Sequence, residues 1–161
     1  MRLSRVAAGT AAYLLASCAS GGAGTTTTTS APAAAAPTIG TAQTLVATMV
    51  PTNASGNRIT GRIRLVPTAR PDELMAEIDL RGGAYQNKHA WVVRGGQCGD
   101  VAQDVGTTMT YRLIETRGDG MAQMKVPVRI TIPSGTHHIA IFPDATNRNV
   151  VVSCGVLSPE K

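Results

Sequence analysis

The sequence predicts an all-β domain: a Greek-key β-sandwich or flattened barrel of about eight antiparallel strands, immunoglobulin-like in architecture. Three observations predict it. From residue 42 onward apolar residues recur with a period of two, as in half-buried strands, rather than 3.6. Clusters of Pro, Gly, Asn and Asp interrupt these runs at short intervals across about 120 residues. The composition is 43% hydrophobic, 16% charged and 3% aromatic. A core can therefore form, but from Val, Ile, Leu, Ala and Met; a long coiled coil and a wholly disordered chain are both excluded.

Ahead of that domain the chain of 161 residues carries an address and a tether. Met1-Arg2-Leu3-Ser4-Arg5 is a short positive head, followed by an apolar stretch from Val6 to Ala16. That stretch is too short to span a bilayer, which needs about 20 residues, but it suits a secretory signal. It ends in Leu15-Ala16-Ser17-Cys18, which resembles the lipobox of bacterial lipoproteins. The resemblance implies a signal peptide over residues 1–17 and a diacylglyceryl group on Cys18. Ala19 lacks the aspartate that retains such proteins in the inner membrane, so the expected location is the cell envelope, at the outer membrane of a Gram-negative cell. Residues 18–41 are, after Cys18, Ser, Gly, Thr, Ala and Pro, without charge and with one large apolar side chain, Ile39. Nothing there offsets the entropy of ordering, and the expectation is a disordered linker.

Within the domain, residues 42–161, each strand is read from alternation. Thr44 to Val50 is apolar-rich and stops at the turn Pro51-Thr52-Asn53-Ala54-Ser55-Gly56-Asn57. Ile59, Gly61, Ile63 and Leu65 oppose Arg58, Thr60, Arg62 and Arg64. After a turn over residues 67–72, Leu74, Ala76, Ile78 and Leu80 oppose Glu73, Met75, Glu77 and Asp79. Arginines outward on one strand and acids outward on the next predict a hairpin with opposite charges across it. His89 to Arg94 is short and mostly apolar. Thr107 to Glu115 sets Met109, Tyr111 and Leu113 against Thr108, Thr110 and Arg112. Lys125 to Ile132 alternates again, with Pro127 marking an edge or a bulge. Thr136 to Phe142 and Val150 to Leu157 complete the set.

With Cys18 lipidated, Cys98 and Cys154 remain, an even pair in an exported protein. A disulfide is the inference, closing about 56 residues. A Cys/His metal site or a redox pair is the alternative, but no Cys-x-x-Cys is present.

His89-Ala90-Trp91-Val92-Val93-Arg94-Gly95-Gly96-Gln97-Cys98, Gly61-Arg62-Ile63-Arg64-Leu65 and Val151-Val152-Ser153-Cys154-Gly155-Val156-Leu157 together resemble a copper/zinc superoxide dismutase domain. The resemblance covers about residues 42–157. It implies a dismutase-type scaffold, with Cys98 and Cys154 at the family's bridge. It also implies where copper ligands would stand, and they are missing. The first two positions hold Val92, which has no donor atom, and Arg94, a permanent cation. The loop after Cys98 offers Asp100 and Asp104 but no histidine for the bridging and zinc positions. Gly135-Thr136-His137-His138-Ile139-Ala140-Ile141-Phe142 puts an aliphatic or aromatic residue at the last ligand. The arginine that steers superoxide in the family has no counterpart. Val92 and Arg94 are thus vacated metal-site positions, with Trp91 and Val93 expected in the core and Val92 and Arg94 on the outer face.

Other chemistry is weakly supported. His137 and His138, adjacent on a strand, point to opposite faces and cannot chelate together; a metal site using His89 with either remains an open alternative. No Gly-x-Ser-x-Gly supports a serine nucleophile. Arg94-Gly95-Gly96 could bind an anion through a tight turn. Without Arg2 and Arg5 the chain keeps 13 basic against 10 acidic residues, a net of +3, and no basic cluster, so nucleic acid is excluded as a partner. The expected function is a non-catalytic, cofactor-free binding or structural domain. It is held to the membrane by its lipid and meets an envelope protein or glycan. The alternatives are a divergent dismutase or copper-binding protein, and an adhesion or assembly module.

Overall fold

The computed structural model describes residues 43–53 and 58–161. The expected signal peptide, Cys18 and the linker to residue 41 lie outside the described residues. Among those residues nine strands form: β1 (Leu45–Pro51), β2 (Thr60–Pro67), β3 (Leu74–Arg81), β4 (Lys88–His89), β5 (Trp91–Gly95), β6 (Ile114–Glu115), β7 (Ala122–Val128), β8 (His137–Ile141) and β9 (Ser153–Pro159). Seven make one antiparallel sheet in the order β5-β8-β9-β1-β2-β3-β7, and β4 pairs with β6 in a small second sheet. After β3 the chain crosses to β5 at the far edge, returns to β7 beside β3, then crosses again to β8. Such long returns between non-sequential neighbours give the fold its Greek-key character.

The β2–β3 hairpin shows why these residues pair. Ile63 stands opposite Ile78 and Leu65 opposite Ala76 on the buried face, while Arg62 faces Asp79 and Arg64 faces Glu77 on the other. Gly61 has φ +133°, and a Cβ there would lie 2.2 Å from the Asp79 carbonyl oxygen. Only glycine fits that approach. Arg64 also reaches Glu160, with Nη2 at 2.5 Å from its carboxylate, and Lys125 of β7 donates to Glu77 at 2.6 Å. Three strands and the segment after β9 are thereby laced by charge across the outer surface. Hydrogen bonding from Lys125 holds the Glu77 carboxyl below its ordinary range, and hydrogen bonding from Arg64 does the same for Glu160.

Two expectations need correction. The span from Thr107 to Glu115 is not a strand: it is a single 3-10 turn, Thr108–Thr110, leading to the two-residue β6. Met109 is 95% exposed while Tyr111 is buried, so the alternation there reflects no sheet. The segment instead serves the core with one carbonyl and one side chain: the Trp91 indole donates to the Arg112 carbonyl at 2.8 Å, and the Tyr111 hydroxyl donates to the Val105 carbonyl. The expected strand from His89 to Arg94 divides at Ala90, because His89 pairs with Ile114 whereas Trp91 pairs with Ile141. Pro127 stands on β7, the last strand of the large sheet, where its missing N–H costs no ladder bond on the open side.

Candidate functional site

β5, β8 and β9 carry side chains on two faces. Cross-strand register puts Val92 opposite Ala140, Arg94 opposite His138 and Ala140 opposite Cys154, so these side chains share a face. Trp91, Val93, Ile139 and Ile141 occupy the other. Trp91 there meets Tyr111 edge to face, ring centres 4.9 Å apart.

The outward face is covered rather than open. Val92, Ala140 and Phe142 are fully buried, so the strand face expected to carry Val92 and Arg94 is closed over at Val92. Two links hold the covering loop. Cys98 is bonded to Cys154, with Cα atoms 5.9 Å apart. Asp104 forms a β-bridge with Arg94 and accepts from its Nε at 2.7 Å. The backbone approach that lets Cys154 sit here depends on its neighbour: a Cβ on Gly155 would come within 2.5 Å of the Thr48 carbonyl oxygen.

Phe142, just beyond β8, closes one end of this face. The Arg94 guanidinium lies 5.1 Å from its ring centre and that of Arg148 lies 6.0 Å away. Neither Phe142 as a ring platform nor Arg148 is marked by any motif; only the folded register brings them beside Arg94.

The histidines do not converge. Each uses Nδ1 on a different backbone carbonyl: His89 on Phe142 at 3.0 Å, His137 on Gly135 at 3.1 Å, and His138 on Gly96 at 3.1 Å. Carbonyls only accept, so each Nδ1 carries the proton. The remaining nitrogen of His89 is buried without a partner among the described residues, with Gly83 and the Thr116 methyl close by. Asp100 is spent on the Gln97 amide at 2.7 Å. Among the described residues no three His, Cys, Asp or Glu side chains come together to hold a metal ion. The dismutase resemblance implies copper and zinc, and the residues present do not fit them. Where that resemblance sets ligands stand a buried aliphatic side chain, a cation already paired, and the strand that carries Phe142. The turn Arg94-Gly95-Gly96 does not cradle an anion either. The Gly95 amide donates to Gln103 and the Gly96 amide to Thr136, leaving no free backbone donors from those two glycines.

No family model matches the sequence, and no curated protein sequence matches it. Among solved structures the chain is similar to a mutant form of superoxide dismutase 5 from Candida albicans, with a TM-score of 0.54 and 14% identity over 74% of this chain and 93% of that one. The likeness is one of fold: a copper/zinc superoxide dismutase-like β-barrel or sandwich, stapled by Cys98–Cys154.

Proposed function

We propose that this chain is a bacterial envelope lipoprotein, anchored through Cys18, whose dismutase-like domain is non-catalytic and acts in binding or in structure. The observation that carries the reading is the Arg94 guanidinium, paired with Asp104 and laid over Phe142 on the face where dismutase-type ligands would gather. A permanent cation there repels a metal ion, and neither Val92 nor Phe142 offers a lone pair to hold one. An assembly role through the β7 edge has less support, because Pro127 brings no N–H and Lys125 a charge to that edge strand.

The test is metal content together with superoxide turnover, measured on full-length protein purified from membranes and from a Cys18→Ala variant. The reading expects neither stoichiometric copper nor dismutase activity, and loss of fatty-acid labelling and membrane retention in the variant. Stoichiometric copper with turnover overturns the non-catalytic half. A variant that still labels and sediments with membranes overturns the lipoprotein half.

A further inference from the structure

We infer that Arg94 and Arg148, both held against the Phe142 ring, form a binding site for a small oxyanion, the group that a carboxylate or a phosphate carries. The inference rests on the reading that no metal occupies this face.

Charge and hydrogen bonding both leave the cluster incomplete. Two guanidinium groups lie 5.1 and 6.0 Å from the centre of one ring, so two positive charges gather around it. One carboxylate, Asp104, answers them, and it is taken by Arg94 Nε at 2.7 Å. The loop's own acid gives no help: Asp144 turns onto the Thr146 amide and hydroxyl and the Asn147 amide, each at 2.7 Å. Those three hydrogen bonds hold its carboxyl below the ordinary range. Arg148 is left without an ion pair among the described residues, and its Nη1 is buried with no acceptor. A buried guanidinium donor without an acceptor is costly and calls for a missing partner.

An oxyanion supplies what is lacking. Its two or more oxygens match the planar fork of a guanidinium, and two such forks beside one ring can share a single anion. Its charge offsets the excess cation that Asp104 leaves. The ring keeps both guanidinium groups in place through their attraction to its face, and the Asp104 bridge fixes Arg94 before any ligand arrives.

The experiment is thermal denaturation of the full-length protein in detergent at constant ionic strength. Sodium chloride is replaced stepwise by inorganic phosphate or by acetate, and copper is assayed in the same sample. The expected result is a saturable rise in Tm of several degrees with at least one of the two anions, as a ligand of the folded state produces. The anion with the larger rise tells phosphate from carboxylate as the natural group. Arg148→Met should abolish the rise while leaving Tm in chloride unchanged or higher, since it removes an unpartnered donor. Absence of any saturable rise over chloride, or a rise that Arg148→Met retains, overturns the site. Copper in the sample overturns instead the reading on which it rests, so the two failures are distinguishable.

Discussion

Arg94 and Asp104 are joined twice, by a backbone β-bridge and by a side-chain ion pair of 2.7 Å. Between them the chain runs out through Cys98 and back, and so the loop is closed at its base as well as tied at its tip. The Arg94 cation thus shares the holding of this loop with the disulfide.

Asp104→Asn should therefore destabilise the fold by about 1–3 kcal/mol. Arg94 and Asp104 are 20% and 24% exposed, so the cost falls between that of a surface pair and that of breaking a fully buried one. Urea denaturation measures it. Arg94→Met combined with Asp104→Asn should recover part of the loss, because the Arg94 guanidinium is then no longer left without its carboxylate.

The disulfide makes an independent contribution. Cys98 and Cys154 are 56 residues apart, and a loop of that length stabilises by roughly 4 kcal/mol in the chain-entropy picture. Thiol labelling of the unfolded, unreduced protein should find neither sulfur free. Cys98→Ala with Cys154→Ala should lower the urea midpoint while leaving the strand content intact by circular dichroism.

How legible all this is in the sequence depends on where each signal resides. Arg62 and Arg64 against Asp79 and Glu77 can be read from alternation alone, since one charged face and one apolar face fix the register of a hairpin. The Cys98–Cys154 pair can be read from cysteine arithmetic. Residues 107–115 mislead because Thr, Met, Tyr and Leu at alternate positions imitate a strand, while the fold uses one backbone oxygen of the stretch, that of Arg112, to satisfy Trp91. The filling of the outer face by Phe142 and Arg148 leaves no local trace. It arises only when β8 is laid beside β5 and the loop after β8 bends back.

Trp91 is a large core side chain with a polar tip, and two substitutions separate those roles. Trp91→Ala should cost about 3–5 kcal/mol, the range for truncating a buried aromatic residue. Trp91→Phe keeps most of the volume but leaves the Arg112 carbonyl without its donor, so a loss of about 1–3 kcal/mol is expected. Chemical denaturation of both variants checks the order.

Tyr111 gives the domain an alkaline limit. Burial pushes its hydroxyl up to about 12, with the nearby Asp104 charge adding to the rise and a Val93 backbone hydrogen bond opposing it. A tyrosine whose folded value lies above its unfolded value of 10.0 favours the fold while protonated. Its contribution is complete below pH 10 and is lost as pH climbs from there to about 12, to the extent of roughly 2–3 kcal/mol. Tyr111→Phe should flatten that part of the stability profile. An unaltered decline in the variant would assign the alkaline loss to other groups.

The last prediction concerns putting histidines back at the vacated positions. Val92→His with Arg94→His restores two imidazoles on one strand face, and the sequence alone suggests that weak metal affinity follows. The structure argues otherwise. Val92 is fully buried, so a histidine there introduces a larger polar ring into a closed space and must find partners or leave buried nitrogens unsatisfied. Losing Arg94 also breaks the pair with Asp104 and strips one guanidinium from Phe142. Destabilisation by several kcal/mol is expected, with no copper retained after dialysis, because the buried Phe142 ring still stands beside position 94. Adding Phe142→His opens that space and supplies a third donor. Copper retention should appear in the triple variant if the ring is what closes the site. Retention already in the double variant, measured by metal analysis of folded protein, would show that Phe142 is no barrier.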